Sequence, residues 1–303
     1  MKKILISGIL MMTIALSVLM SGCSNKAEKV LNVAVMPALE GESVDAQKEA
    51  EVNEDLRQAL EEELGMTVKL YESTEYSVGI TALAEGNIDV LLVSPMSYYQ
   101  ASLQADIEPL VTYSSAPGTA VYKSVFITAA DNEEINSLED LEGKTFAFVD
   151  QASSSGYLYP KYTLVDTLGL DAATLENAGT YFESVTFSGS HQNSIISVLN
   201  GGVDAAPVAY GVLDYIPSLL EGKTVEDVKI VGETAVIPNP LFVVRTDLEE
   251  DIREQLRQAY LSYDNSTYFE VIFGNSEVRF TEADDSALAD AENVVTTLGI
   301  EAE

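Results

Sequence analysis

Three consecutive hydroxyls, Ser153-Ser154-Ser155, and then Gly156 stand between an apolar run (145–150, TFAFVD) and a stretch with Leu158, Tyr162, Leu164, Val165 and Leu168 at helical spacing. Hydroxyls at a helix N-terminus lie beside unpaired backbone N–H groups and the positive end of the helix dipole, and together these bind an anion without a formal cation. Gly156 lets the backbone come close to a ligand. The same residues also read as an ordinary serine N-cap after a polar loop, and residue types alone leave that choice open. The layout recurs at 182–202 (FESVTFSGSHQNSIISVLNGG), where a strand ends at Phe187 and Ser188-Gly189-Ser190-His191 lead into the next helix. His191 is the only histidine in the chain. It reads either as a satisfied core or surface side chain or as a group that donates to an oxyanion, or accepts from a protonated one.

An internal echo extends the pattern. Leu83-Ala84-Glu85-Gly86-Asn87-Ile88-Asp89 and Val198-Leu199-Asn200-Gly201-Gly202-Val203-Asp204 share apolar-x-x-Gly-x-(Ile/Val)-Asp, and a ring side chain, Tyr76 or His191, stands 13 residues before each Asp. Each ring follows an expected strand and opens a helix that ends at the Gly. Two like strand–helix–strand units about 115 residues apart suggest two lobes of like architecture. Ligands of open α/β sheets sit beyond the carboxyl ends of the strands, so Tyr76 and His191 would face each other across a cleft. Asp89 and Asp204 read as groups that cap or orient neighbouring backbone, and Tyr71, Tyr113 and Tyr122 as packing or rim residues.

Around these units, short apolar runs alternate with amphipathic stretches. A strand followed by a turn is expected at 31–38, strands at 66–73 and 88–93, and helices at 46–64, at about 76–85 and from about 95. Gly65 would cap the helix at 46–64. Such alternation implies an α/β protein with parallel strands flanked by helices. The 303 residues are 47% hydrophobic and 21% charged, enough to bury a core over about two domains. Sixteen basic against 49 acidic residues give a net charge of −33, which repels a phosphodiester backbone and excludes nucleic acid as a partner. One His and one Cys are too few for a zinc site built from those ligands, and no metal or other cofactor is expected.

The first residues bear on compartment. Lys2 and Lys3 precede an uncharged apolar run, 4–20, and then Ser21-Gly22-Cys23, which is the pattern of a secretory leader. With Cys directly after the small pair it resembles a bacterial lipoprotein signal, Met20 standing where Leu is usual. The resemblance implies a signal peptide over 1–22, lipidation at Cys23, a tether over 23–30, and a body anchored to the membrane outside the cytoplasm. An uncleaved anchor is the alternative, since 17 apolar residues are at the short limit for a span. Removal of 1–22 takes away two lysines and no acid, so −33 becomes about −35.

A more specific resemblance runs from about residue 31 to the tail. Phe148-Val149-Asp150, Ser153 to Pro160, Gly189-Ser190-His191, Val203-Asp204-Ala205-Ala206, Ile237-Pro238-Asn239-Pro240 and Ser94-Pro95-Met96-Ser97-Tyr98 resemble, in order and spacing, the phosphate/phosphite/phosphonate-binding lipoproteins of ABC importers, the PhnD-like family. RFTEADDSALADAENV (279–294) echoes it too. The family implies a two-lobed periplasmic-binding-protein fold of type II (transferrin-like), with mixed sheets flanked by helices and an interlobe cleft that closes on its ligand. It also implies lobe 1 over 31–115 and 240–303, lobe 2 over 124–232, and crossovers near 114–123 and 233–240.

Carried over by position, Ser153, Ser154 and Ser155 match the family's Ser-Thr-Ser oxyanion cradle, with Gly156 behind it. Tyr76 and His191 match its ligand-contacting Tyr and cleft His, and Ser94 and Tyr98 lie in the matching first-lobe loop. The carboxylates that hold an aminoalkylphosphonate's ammonium in this family are missing: one region reads Pro207-Val208-Ala209-Tyr210-Gly211, and the Ile-Pro-Asn-Pro turn lacks its Asp. Tyr210 and Asn239 would supply neutral hydrogen bonds instead, which favours phosphate, phosphite or a small alkylphosphonate over a zwitterion. The expectation is therefore a monomeric solute-binding lipoprotein, not an enzyme, that captures a small phosphorus oxyanion for an ABC permease. Three rivals stand beside it. One keeps the fold but takes a sulfonate or vitamin precursor, which would need an apolar or aromatic stacking surface in the cleft. Another is a sensory lipoprotein. The third is a secreted hydrolase with Ser154, His191 and Asp204, against which no Gly-x-Ser-x-Gly elbow occurs.

Overall fold

The computed structural model describes residues 29–35, 46–72, 75–116 and 120–300, so the leader 1–22 and Cys23 lie outside the described residues. The chain begins with β1 (Val30–Val35), α1 (Ala46–Leu64), β2 (Thr67–Glu72), α2 (Tyr76–Ala84), β3 (Val90–Val93), α3 (Pro95–Ser102) and β4 (Ile107–Ser114). Gly65 closes α1 at φ 63°, a left-handed conformation that glycine adopts without strain. A short β5 (Val121–Tyr122) leads to β6 (Ser124–Ala129), β7 (Thr145–Phe148), α4 (Tyr159–Leu168), β8 (Ser184–Phe187), α5 (His191–Leu199), β9 (Ala205–Ala209), α6 (Ile216–Leu219) and β10 (Val228–Glu233). The chain then passes through β11 (Ile237–Pro238) to β12 (Leu241–Arg245), α7 (Glu250–Ser262), α8 (Ser266–Phe273), β13 (Arg279–Glu282) and α9 (Ser286–Leu298).

The strands form two mixed sheets. The first runs β13-β4-β12-β3-β1-β2 and the second β10-β6-β9-β7-β8, while β5 and β11 pair with each other in the crossover between them. Each sheet holds a parallel triple in the same order, β2-β1-β3 and β8-β7-β9, with an antiparallel strand, β12 or β6, beside the third member. The two echoing aspartates do the same work in both. Asp89 accepts the backbone N–H of Asn32 in β1 at 2.8 Å, and Asp204 accepts the N–H and hydroxyl of Thr145 in β7 at 2.8 and 2.7 Å. Each thus ties the start of its own strand to the neighbouring parallel strand.

Helices cover both faces of each sheet, which is why the central strands are apolar throughout. All four residues of β3 are buried. Val90 and Leu92 face the cluster built with Leu56 and Leu60 of α1 and Leu256 and Tyr260 of α7, and Leu91 and Val93 face Ile80 and Leu83 of α2. In the second sheet Phe146 and Phe148 pack with Leu164 of α4, and Ala147 with Ile195 and Val198 of α5. A further cluster spans the two halves: Ala291, Val294, Val295 and Leu298 of α9 meet Met96 of α3 and Leu158 and Tyr159 at the start of α4. The Tyr159 hydroxyl donates to Asp290 of α9, and Tyr98 of α3 donates to Asp285 at 2.7 Å. No helix among the described residues is long and apolar enough to cross a membrane.

Candidate functional site

The serine run does not simply begin α4. Ser153 is an N-cap whose hydroxyl accepts the Gly156 N–H at 2.9 Å, and residues Ser154–Leu158 then form a wide π-helical turn before α4 starts at Tyr159. π-turns open the backbone locally and occur often at functional sites. This one turns the hydroxyls of Ser154 and Ser155 away from the helix and toward other elements, while that of Ser153 caps it. A Cβ on Gly156 would lie 2.3 Å from Val149 Cβ and 2.9 Å from the Ser153 hydroxyl, so only glycine lets the turn press against the end of β7. The Ser155 carbonyl is pinned from β6 by the Ser124 hydroxyl at 2.6 Å.

Each hydroxyl meets a different partner. Tyr76, the first residue of α2, turns its phenol toward Ser153. Ser154 accepts the Met96 N–H, in the first turn of α3, at 2.8 Å. Ser155 lies 3.2 Å from Nε2 of His191, the first residue of α5, and the Tyr122 phenol from β5 faces it as well. Three helix N-termini, each following a parallel strand, therefore meet the π turn, and two of them come from the first sheet's side. All are positive dipole ends. Ser153, Ser154, Ser155, Tyr76 and His191 are essentially inaccessible to solvent.

The electrostatics favour neutral donors. Nδ1 of His191 accepts the Ala209 N–H at 3.3 Å, which leaves the ring proton on Nε2, pointing at Ser155. Burial pushes this imidazole down to about 4, so it is uncharged at neutral pH. Burial likewise raises the phenols of Tyr76 and Tyr122, the latter to about 12, and both keep their protons. Neither phenol finds a hydrogen-bond partner of normal geometry in the protein. A buried polar group left unpaired costs about 1–3 kcal/mol, and these two hydroxyls are unmatched donors beside the serine run. The nearest acid, Asp150, accepts the Ala152 N–H, and its carboxyl is raised by burial and by the charge of Glu75. No cluster of three or more metal-ligating side chains occurs among the described residues.

The remaining candidate residues are placed as follows. Ser94 is buried as the cap of α3 in a reciprocal box with Ser97, and its hydroxyl also reaches the Ala152 carbonyl at 3.3 Å. Tyr98 is turned to Asp285. Tyr210 is 59% exposed beside the cleft, where its neighbour Gly211 forms part of the wall. Asn239 lines the cleft and donates its side-chain amide to the Tyr113 carbonyl at 2.8 Å. Tyr122 is more than a rim residue. Its buried hydroxyl at Ser155 had no local signal in the sequence beyond its place in a crossover.

A chamber of about 290 Å³ opens from this point, with Ser155, His191, Tyr122 and Asn239 among its lining residues. Comparison with known proteins accords with this architecture. The chain is 26% identical over 235 residues (76% of this chain, 70% of the relative) to the phosphate-import protein PhnD of Mycolicibacterium smegmatis. It superposes with a TM-score of 0.73 on PhnD1 of Prochlorococcus marinus in complex with methylphosphonate, at 23% identity over 90% of this chain and 99% of that one. The TM-score is also 0.73 for a binding protein component of an ABC phosphonate transporter from Pseudomonas aeruginosa, at 21% identity over 90% and 87%. These neighbours share the periplasmic-binding-protein fold. The model of the family described as "ABC transporter, phosphonate, periplasmic substrate-binding protein" matches residues 42–288. The chain belongs to this family of extracytoplasmic solute binders, which serve ABC transporters and are not enzymes.

Proposed function

We propose that the protein captures a phosphorus oxyanion (phosphate, phosphite or a phosphonate) between its two halves. Ser153, Ser154 and Ser155 form the cradle, and Tyr76, Tyr122 and His191 close on it. The observation that carries this reading is the pair of buried phenols without protein partners, Tyr76 and Tyr122, aimed at the two outer serines of the run. Tetrahedral anions need many short donors, and a dry site rejects analogues that leave one unmatched. Tyr210 and Asn239 would act at the edge, and Ser94 and Tyr98 by holding α3. Lobe 1 is assigned to 31–115 and 240–303 and lobe 2 to 124–232, joined at 114–123 and 233–240, so that the cleft closes about the β5–β11 ribbon. Cys23 is proposed as the lipidated N-terminus of a membrane-anchored monomer, on the strength of the leader that precedes it. A Cys23→Ser chain that stayed in the membrane fraction would count against that anchor.

Calorimetry and thermal shift with phosphate, phosphite, methylphosphonate, 2-aminoethylphosphonate and sulfate test the ligand class, because a ligand that binds the native state raises its apparent stability. At least one phosphorus anion is expected to bind well ahead of sulfate. Ser154→Ala and His191→Ala are each expected to weaken that binding at least tenfold while the protein stays folded by circular dichroism. Unchanged affinity in both variants would remove the site.

A further inference from the structure

The chamber beside the cradle is larger than a bare oxyanion requires. Its volume of about 290 Å³ is room for about ten waters at ~30 Å³ each, whereas phosphate has five heavy atoms. Its walls carry no charged side chain and mix apolar and aromatic residues with neutral polar ones such as Ser114, Ser115 and Asn275. Tyr113, Ile272, Phe273 and Val278 line it from the first sheet's side, Val212 and Tyr215 from the second, and the other lining residues are uncharged. In a chain with 49 acidic and 16 basic residues, a cleft wall free of every one of them selects against charge. Tyr113 and Phe273 hold each other with ring centroids 4.2 Å apart, which gives that wall a fixed aromatic surface.

Resting on the oxyanion reading above, we infer that the ligand carries a bulky, uncharged, apolar or aromatic substituent on its phosphorus group, seated in this chamber and touched by both halves. The substituent's apolar surface would be removed from water as the cleft closes, and an ammonium there would find no carboxylate. An aromatic wall alone would equally suit a sulfonate. A phosphonate has the same three oxygens as a sulfonate but up to twice the negative charge, so the donors at Ser153–Ser155 and the two spare phenols favour the more strongly accepting phosphorus group.

Titration calorimetry on the purified protein with phosphate, methylphosphonate, 2-aminoethylphosphonate, phenylphosphonate and benzenesulfonate decides this. Phenylphosphonate is expected to bind at least tenfold tighter than any of the other four. Phe273→Ala and, from the opposite wall, Tyr215→Ala are each expected to cost phenylphosphonate at least fivefold more affinity than methylphosphonate. The second variant serves where the first fails to fold. Equal or tighter binding of phosphate, methylphosphonate or 2-aminoethylphosphonate overturns the chamber inference and leaves the cradle standing. Tighter binding of benzenesulfonate overturns the choice of phosphorus. If none of the four phosphorus compounds binds, this inference fails, and if phosphite added to the series does not bind either, the oxyanion reading fails with it.

Discussion

Two tyrosine hydroxyls buried without a protein partner cost the ligand-free protein stability, and this separates a structural role from a binding one. Tyr76→Phe and Tyr122→Phe are expected to raise the stability of the ligand-free protein by about 1 kcal/mol each in urea unfolding, while weakening oxyanion binding about tenfold. A loss of stability in both would make the phenols ordinary core groups. His191 gives a second test through pH. Its imidazole sits near 4 in the folded chain against an ordinary value of 6.5. Above about 6.5 both states are neutral there and the group takes nothing from stability. As pH falls toward 4 the unfolded chain takes up a proton that the folded one refuses, so folding loses up to about 3 kcal/mol from this residue. His191→Gln is expected to flatten that part of the wild-type stability curve between pH 6.5 and 4, and superimposable curves would contradict the buried neutral ring.

At the scale of elements, the π turn is the least forgiving piece. Gly156→Ala puts a methyl into Val149, and overpacking of this kind costs about 1–3 kcal/mol. Because the turn sets the direction of all three hydroxyls, the same change is expected to lower ligand affinity more than the stability loss accounts for, as calorimetry below the unfolding transition can check. The helix at 46–64 and the serine run at the end of β7 were legible because hydrophobic period and strand-end position are local properties. The reading of Ser153 as a cap holds, and it leaves room for the proposed anion cradle, since Ser154 and Ser155 face other helices. Tyr122 was not legible. It lies on a two-residue strand whose direction is fixed by pairing with Ile237–Pro238, more than a hundred residues away. The chamber was hidden for the same reason, because Tyr113, Tyr215 and the Phe273–Val278 stretch come from three separate segments, and only the folded chain brings them around one space.

For the whole molecule, a net charge of −33 opposes any anion that approaches, and the proposed cradle would answer with dipoles and neutral hydroxyls instead of lysine or arginine. Screening therefore helps. The Debye length shrinks from about 30 Å at 0.01 M salt to about 8 Å at 0.15 M, which mutes distant carboxylates while leaving buried donors almost untouched. Affinity for the oxyanion is expected to rise several-fold over that range in a sodium chloride series, and a fall would point to a cationic site. The handshake between the π turn and α3, in which Ser154 takes the Met96 N–H, also bears on how cargo leaves. If the guest is gripped as proposed, by helices rooted in opposite sheets, spreading them by a few ångströms would strip it at a stroke of the donors on one side. Discharge to a membrane channel would then need leverage on the backbone alone, with no protonation, cleavage or counter-ion to set it off.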